Sequence, residues 1–286
     1  MWLWPDLPYD PRMHMPTTSV SKTGSLALVG MGMTLGSHLT PISRSYIEQA
    51  DVVFAAMSDH LVEEWLTRMN PDVRSLQGNY AEGKSRMVTY QEWLDLIMAE
   101  VRMGKRVCAV FYGHPGIFAW TPHKAIETAR AEGFEAHMEA GVSSEDCLYA
   151  DLGIDPGRYG CQHFEASQFL LYDRQLDTAG YVVLWQVALV GDTTMARLDN
   201  TGAAYRQVLV DRLGRDYPLD HEITIYRCAT LPIDPPRMER VALRDLPRVD
   251  MTVAETVVLP PARKMVPVPD VWARLRALDT ATESVT

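Results

Sequence analysis

The sequence is poor in cysteine and lacks the short motifs that mark several enzyme classes. Its four cysteines, Cys108, Cys147, Cys161 and Cys228, are widely spaced and form no CxxC pair. This usage is typical of reduced thiols in a cytoplasm and indicates no metal site. The sequence also contains no HExxH motif, no P-loop lysine and no GxSxG elbow. These absences disfavour a zinc protease, a P-loop nucleotide hydrolase and an α/β-hydrolase.

Long apolar runs and basic clusters are missing too. No apolar run approaches the roughly 20 residues that a membrane-spanning helix needs, and residues 1–8 lack the pattern of a signal peptide. The 27 basic residues are outnumbered by 37 acidic ones, and this net charge of -10 disfavours binding to nucleic acid. With 47% hydrophobic and 22% charged residues, the 286-residue chain has the composition of a globular protein large enough for two domains. We expect a cytoplasmic protein with neither membrane nor nucleic acid as partner.

Apolar segments alternate with helical patterns in the first half, which predicts an α/β fold with a mostly parallel sheet. Strands are predicted at 25–29, 51–55 and 107–111. Helices are predicted at 41–50, 59–69, 122–132 and around Tyr90 to Val101, where apolar residues recur at helical spacing. Thr40 is predicted to cap the first of these helices, and Ser143-Ser-Glu-Asp146 predicts a further helix start with early acidic residues.

The second half changes character, because longer apolar strands replace the regular alternation. Strands are predicted at 181–190, 223–228 and 252–259, a helix at 203–214, and a short C-terminal helix at 270–278. We therefore divide the chain into a flexible N-terminal arm (1–23), an N-terminal α/β domain (24–119), a C-terminal α+β domain (120–262) and a C-terminal tail (263–286).

The segment 107–119 combines a buried strand with a glycine loop. The apolar run Val107–Phe111 is followed by Gly113-His-Pro-Gly116, and Thr121-Pro122 then reads as the N-cap and first turn of a helix. Open α/β folds bind ligands at the carboxyl ends of their strands, so this loop is a candidate ligand site. A purely structural turn explains the same residues equally well.

Two further patterns, one of glycines and one of histidines, are weak evidence for a dinucleotide site and a metal site. Gly30-Met-Gly32 follows the first strand, but Gly36 is misplaced for the GxGxxG fingerprint, which disfavours a Rossmann oxidoreductase. His114 and His123 have no carboxylate or thiolate close to them in the sequence, so no metal site is predicted.

The segment 78–90 brings two tyrosines and two cations together. Arg86 and Tyr90 are four residues apart and share a face if a helix begins by Ser85. A guanidinium beside a phenol lowers the pKa of the phenol, and such a pair suits a base for a weakly acidic N–H. The residues alone favour the simpler alternative, a solvated helix start with a surface arginine and a packed tyrosine.

Several blocks of the sequence resemble one enzyme family. The most specific are Phe111-Tyr-Gly-His-Pro-Gly-Ile-Phe118 and Gly141-Val-Ser-Ser-Glu-Asp-Cys-Leu148. Further matching blocks are Gly24–Gly30, Gly83–Arg86, 150–156, the Gln186 strand, Val210–Leu213 and Pro260–Lys264. Across residues 24–265 the chain resembles the tetrapyrrole (corrin/porphyrin) methylases, and more narrowly the borosin peptide α-N-methyltransferases.

The resemblance implies a fold, a cofactor and a set of site residues. The fold would be the two-domain class III methyltransferase fold, with S-adenosyl-L-methionine (SAM) in the cleft between the domains and S-adenosyl-L-homocysteine as the product. Catalysis would rest on Tyr80, Arg86 and Tyr90. Residues matching SAM contacts are Tyr112, His114, Ile117, Ser144, Gln186, Ile223 and Thr256.

The sequence departs from fused borosin enzymes in two ways. Gln77 stands where fused fungal members have a further tyrosine, and the chain stops soon after Lys264, where those members continue into a clasp and their own substrate peptide. We therefore expect iterative backbone methylation of a separate precursor peptide, by a homodimer that forms a heterotetramer with it. The alternatives are a methylase of a small tetrapyrrole or corrinoid and, less favoured, a peptide-binding scaffold without catalysis.

Overall fold

The computed structural model describes residues 23–57 and 59–283. Apart from Thr23, the predicted N-terminal arm lies outside these residues. The described chain builds two five-stranded sheets, one after the other in sequence. None of its described helices is both long and apolar enough to cross a membrane.

The first sheet is entirely parallel, with the strand order β3-β2-β4-β1-β5. Its strands are β1 (Ser25–Gly30), β2 (Val52–Ala56), β3 (Val73–Ser75), β4 (Arg106–Phe111) and β5 (Glu135–Met138). The three central strands are buried on both faces, which explains their continuous apolar runs.

Helices cover both faces of this sheet. They are α1 (Pro41–Gln49), α2 (His60–Leu66), α3 (Arg86–Arg102) and α4 (Trp120–Ala131). The predicted cap of α1 is confirmed, because the Thr40 side chain accepts a hydrogen bond from the Ser43 N–H. Helices α3 and α4 pack on one face of the sheet, and α1 and α2 pack on the other.

Two predictions near residue 120 are corrected by the structure. Helix α4 begins at Trp120 with Ala119 as its N-cap, and the Thr121 hydroxyl donates to the Tyr90 carbonyl instead of capping the helix. The predicted domain boundary at 119 would divide the first layer, because β5 pairs in parallel with β1. The first layer therefore extends through Met138.

The second sheet is mixed, with the strand order β6-β7-β10-β8-β9. Its strands are β6 (Cys161–Glu165), β7 (Tyr181–Trp185), β8 (Glu222–Arg227), β9 (Arg237–Ala242) and β10 (Thr256–Leu259). Its helices are α5 (Ser144–Leu152), α6 (Pro156–Tyr159), α7 (Ala166–Leu171) and α8 (Ala203–Leu213). Two 3-10 helices, Val187–Leu189 and Leu243–Arg248, complete the layer. Helices α7 and α8 pack on one face and α5 on the other.

The predicted strand at 181–190 ends five residues early. β7 stops at Trp185, Gln186 adopts a left-handed conformation with φ 57°, and a 3-10 helix follows. The apolar run continues past the end of the strand because Val187, Ala188 and Leu189 in the 3-10 helix are also buried. A short apolar run does not distinguish strand from buried helix, so the sequence could not locate this break.

The loops at the carboxyl edge of the first sheet contact the second layer. The Leu35 N–H donates to the Thr230 carbonyl at 2.9 Å, and the Gly83 N–H donates to the Ala196 carbonyl at 3.2 Å. A C-terminal helix, α9 (Pro269–Glu283), begins one residue earlier and ends five residues later than the predicted helix at 270–278. Its side chains are exposed as far as residue 280, the last for which exposure is described.

Candidate active site

Four glycines bring the chain after β1, β4 and β5 into direct backbone contact. Gly113 and Gly32 exchange backbone hydrogen bonds at 2.9 and 3.2 Å. A Cβ atom on Gly30 would lie 2.4 Å from the Gly113 carbonyl oxygen, and one on Gly141 would lie 2.3 Å from the same atom. Only glycine allows this approach, which draws three loops together at the carboxyl edge of the sheet.

The loop after β4 presents large side chains to solvent. Tyr112 is 51% exposed, Ile117 42% and Phe118 47%, although all three lie between buried elements. His114 is turned back into the loop, where its Nδ1 accepts from the Gly116 N–H at 2.9 Å. Exposed apolar side chains gathered on one loop indicate a surface that a ligand covers.

This loop forms one wall of an aromatic cavity. The residues that line the cavity are Ala56, Gln77, Tyr80, Tyr90, Trp93, Phe111, Tyr112, His114, Ile117, Phe118, Ala119, Trp120, Thr121 and Pro122. Five of the predicted site residues are therefore brought together here. Among these described lining residues there is no Lys, Arg, Asp or Glu, so the wall itself carries no permanent charge.

Tyr80 and Tyr90 both contact Trp93. The ring centroids of Tyr80 and Trp93 are 5.2 Å apart and those of Tyr90 and Trp93 5.7 Å apart, while the Trp93 indole donates to the Leu76 carbonyl at 2.8 Å. Burial, followed by the neighbouring Tyr90, raises the pKa of Tyr80, and the positive charge of Arg86 opposes that shift only weakly. Arg86 thus lowers the pKa of Tyr80 as a nearby guanidinium should, but desolvation is the larger effect.

Arg86 is buried at the start of α3, with only 9% of its side chain exposed. Its backbone N–H, which a helix start leaves without an intrahelical partner, donates to the Met195 carbonyl at 2.8 Å. Its guanidinium lies 3.9 Å from the Asp192 carboxylate, and its Nε has no hydrogen-bond partner within the described structure. The predicted alternative of a surface arginine is thus wrong.

The sequence did not indicate Asp192, which the fold brings to Arg86 from the second layer. Its carboxylate accepts from the Thr194 hydroxyl at 2.6 Å, the Thr194 N–H at 3.0 Å and the Arg197 N–H at 3.2 Å. These bonds hold the loop 191–197 closed over the helix start. The only sequence signal was the run Gly191-Asp192-Thr-Thr194, an ordinary turn.

Two side chains near this site, Lys84 and Gln77, make contacts that the sequence did not predict. Lys84 pairs with Glu92 and donates to the Asn79 carbonyl, and it does not line the cavity. Gln77 does line the cavity, and its side-chain nitrogen donates to the Met57 carbonyl. The carboxamide of Gln77 is thus fixed in the wall.

Three of the four site residues predicted in the second half gather at one end of the second sheet. Gln186 follows the end of β7, and Thr256 begins β10 beside Tyr226 near the end of β8. Ser144 is the first residue of α5, whose predicted start is confirmed by a capping box between Ser143 and Asp146. The Ser144 side chain also lies near the Cys228 thiol, just past β8.

Ile223 lies elsewhere. It is fully buried in the core, paired with Val241, and it stands three residues before Tyr226 on β8. At roughly 3.4 Å per residue, that is about 10 Å along the strand from the end where Thr256 lies. The structure therefore assigns Ile223 to the core and does not bring it together with the other predicted cofactor residues.

A parallel sheet covered on both faces, followed by a mixed sheet that meets its carboxyl edge, defines the class III methyltransferase fold. Residues 25–281 match the family Tetrapyrrole (Corrin/Porphyrin) Methylases, and the chain belongs to that family. The uroporphyrin-III-C-methyltransferase from Thermus thermophilus superposes with a TM-score of 0.59 at 20% identity, covering 84% of this chain and 94% of that one. The fold predicted from the sequence is confirmed.

Curated relatives are more similar in sequence. A methyltransferase/ribosomally synthesized cyclic peptide gymnopeptides precursor of Gymnopus fusipes is 37% identical over 92% of this chain and 64% of its own length. The corresponding omphalotin A precursor of Omphalotus olearius is 38% identical over the same shares. A lentinulin A precursor of Lentinula edodes is 41% identical over 78% of this chain and 53% of its own length. The chain thus spans somewhat over half the length of these relatives.

Proposed function

We propose that this protein transfers methyl groups from SAM to backbone amide nitrogens of a ribosomally synthesised precursor peptide, and that it does so iteratively. The similarity to methyltransferases that are joined to cyclic peptide precursors supports a peptide as the acceptor. The observation that carries the proposal is an uncharged aromatic cavity with a buried guanidinium beside it.

The chemistry of the cavity favours a peptide over a tetrapyrrole. Uroporphyrinoids carry several carboxylates, and a site for them needs cations to pair with those groups. The lining of this cavity has aromatic rings, one histidine and amide or hydroxyl groups, with no cation among the described residues. A peptide group is neutral and planar, so aromatic walls can enclose it without leaving a charge unpaired.

Tyr80, Tyr90 and Arg86 have complementary roles in this proposal. An amide N–H is a very weak acid, and its nitrogen becomes a good nucleophile only as the proton leaves. Tyr80 and Tyr90 line the cavity with hydroxyls that can accept this proton or donate to the amide oxygen. Arg86 provides a buried positive charge that stabilises the imidate-like anion, and burial strengthens that stabilisation.

The residues at the joined edges fit SAM, whose adenine and aliphatic arm require apolar cover and whose hydroxyl, amino and carboxylate groups require polar partners. Exposed Tyr112 and Ile117 offer the apolar cover, and the glycine contacts bring the backbones of the three loops together. The residues that would hold SAM are Tyr112, His114, Ile117, Ser144, Gln186 and Thr256. When bound, SAM supplies an electrophilic methyl group.

We further propose that the acceptor is a separate polypeptide and that the enzyme is a homodimer, which forms a heterotetramer with the precursor. The described residues 269–283 form the exposed helix α9. That helix presents Val271, Trp272, Leu275 and Leu278 on one face, each at least 45% exposed. An apolar face of this kind on a helix is suited to packing against a second copy.

The proposal predicts methylation of a peptide supplied in trans. We expect co-expression with a candidate precursor to give backbone methyl increments, located by tandem mass spectrometry, and sedimentation of the purified complex to give two copies of each chain. The same preparation incubated with a uroporphyrinoid and SAM serves as the control. Methylation of the uroporphyrinoid with an unmodified peptide would contradict the proposal.

The raised pKa of Tyr80 predicts an alkaline pH dependence. If the Tyr80 phenolate accepts the amide proton, its population falls when the pKa rises, so the single-turnover rate should increase about tenfold per pH unit. This increase should continue past pH 10.0, the ordinary pKa of tyrosine, as long as the protein stays folded. Rapid-quench measurements at saturating SAM test this. A rate that is flat with pH would instead assign Tyr80 as a protonated donor to the amide oxygen.

A further inference from the structure

Four hydrogen-bonding side chains form a line beside the second-layer part of the site, and we name them the His163 chain: Trp185, His163, Tyr149 and Glu145. The Trp185 indole N–H donates to His163 Nδ1 at 3.1 Å. His163 Nε2 lies 2.8 Å from the Tyr149 hydroxyl, which donates to the Glu145 carboxylate at 3.1 Å. The imidazole and indole planes are nearly parallel, 18° apart, with centroids 5.9 Å apart.

Only one arrangement of protons satisfies the whole chain. An indole N–H can only donate, so His163 Nδ1 must accept and the imidazole proton must be on Nε2. Nε2–H then donates to Tyr149, whose own proton is left for the Glu145 carboxylate. This arrangement requires a neutral imidazole. Burial favours the same state, since it lowers the pKa of His163 although the Glu145 charge opposes the shift.

The His163 chain connects three segments that carry proposed cofactor residues. Glu145 follows Ser144 at the start of α5, and Trp185 precedes Gln186 at the end of β7. The Trp185 ring also contacts Phe118, with centroids 5.6 Å apart, and Phe118 follows Ile117. His163 itself is on the edge strand β6, in register with Val183 of β7.

Two of these junctions have a left-handed backbone conformation. Among the described non-glycine residues, only Phe118, Gln186 and Met195 have a positive φ. Phe118 contacts the Trp185 ring, and Gln186 is the next residue in the chain after Trp185. A left-handed conformation costs free energy in such residues and persists only where the surroundings enforce it. Trp185 is therefore the part of the chain through which His163 can influence the cofactor segments.

We propose that His163 is a positioning residue for the cofactor site. Neutral His163 holds Trp185, and through Trp185 the Phe118 and Gln186 segments, in the conformation that binds SAM. Protonation of His163 releases these segments. This rests on the proposed function, because it presumes that SAM binds at these segments. Protonation places an N–H on Nδ1 facing the indole N–H, so two donors meet and Trp185 loses its acceptor.

The groups that face the imidazole support this direction of the effect. From α5 these are Glu145 and Tyr149, and from its own strand Cys161 is close to Tyr149. Burial raises the pKa of both Tyr149 and Cys161, so both are neutral in the acid range. Only Glu145, with an oxygen 3.6 Å from Nε2, favours the imidazolium, and it does not face the Trp185 side.

The test is the pH dependence of S-adenosyl-L-homocysteine binding, measured by calorimetry between about pH 8 and pH 5. We expect the wild-type Kd to weaken about fivefold at the acid end, the effect of one ordinary hydrogen bond. His163→Asn keeps an acceptor for Trp185 but does not titrate, so its Kd should stay nearly constant over the range. His163→Leu and Trp185→Phe should bind weakly at every pH.

A matched control is His221→Asn, because His221 belongs to the same layer but precedes β8 at the end remote from Thr256 and bonds the Pro260 carbonyl. It should leave both the affinity and its pH profile unchanged. Circular dichroism establishes that each variant is folded, and histidine Cε1–H resonances of the ligand-free protein should show His163 titrating below 6.5. A His163→Asn profile as steep as the wild-type profile would overturn the inference. Absence of binding by the wild type at any pH would instead refute the proposed cofactor.

Discussion

Replacement of Arg86 by alanine is expected to reduce methyl transfer at least about 100-fold while leaving SAM affinity largely unchanged, which is the effect of removing one preorganised charge at a developing anion. The buried guanidinium acts electrostatically on Tyr80, which lines the cavity, and its Nε has no hydrogen-bond partner within the described structure. Arg86→Lys should restore little, because a lysine ammonium lacks the planar set of donors. Single-turnover kinetics with a precursor peptide, alongside calorimetry with S-adenosyl-L-homocysteine, separates chemistry from binding.

Lys84→Ala is the matched control for this prediction. Lys84 precedes the same helix start and carries the same charge, but it pairs with Glu92 outside the cavity. It should change the rate less than about twofold, since a partly exposed ion pair of this kind contributes little. A folded Arg86→Ala variant that transfers methyl groups within tenfold of the wild-type rate would remove Arg86 from the mechanism. Loss of cofactor binding would assign it to the SAM site instead.

Substitution of Gly141 by alanine is expected to destabilise the protein by about 3 kcal/mol, at the upper end of overpacking effects. The new Cβ would lie 2.3 Å from the Gly113 carbonyl oxygen and 2.8 Å from the Gly30 Cα, and both are backbone atoms that cannot rotate away. We expect the melting temperature to fall by about 6–12 °C. Cofactor affinity should fall as well, because the loop after β4 must move.

Gly78→Ala separates this steric effect from the general effect of losing a glycine. Neither glycine has a positive φ, and a Cβ on Gly78 meets nothing within 4 Å. Its melting temperature should remain close to that of the wild type in scanning calorimetry. Gly30→Ala should destabilise about as much as Gly141→Ala, and the double variant less than the sum, because both side chains displace the same carbonyl. Additive losses would show that the three loops do not form one contact.

Much of the fold was predictable because its signals are local. The buried strand Val107–Phe111 and the caps at Thr40 and Ser143 each depend on a few neighbouring residues, and all three are confirmed. The errors have a common cause. Thr121 resembles an N-cap and residues 181–190 resemble one strand, but packing against Tyr90 and the left-handed turn at Gln186 decide otherwise.

The residues of the candidate site also divide into those that the sequence predicted and those that only the fold brings together. Tyr80, Tyr90, Tyr112, His114 and Ile117 were predicted from motifs, and the structure places all five on one cavity. Asp192 and His163 were not predicted, because their partners Arg86 and Trp185 are distant in sequence. Ile223 matched a motif, but its position on β8 separates it from the other residues.

The sequence by itself determined many of the strands and helices and the glycine loop at Gly113, because backbone preferences and hydrophobic periodicity are written in short segments. The family resemblance rests on short blocks too, such as residues 111–118 and 141–148. The tertiary structure decided which of those segments meet. Parallel pairing of β5 with β1 moved the boundary of the first layer to Met138. Burial raises the pKa of Tyr80 and lowers that of His163, and this desolvation depends on everything packed around a group and not on the residues beside it in the chain.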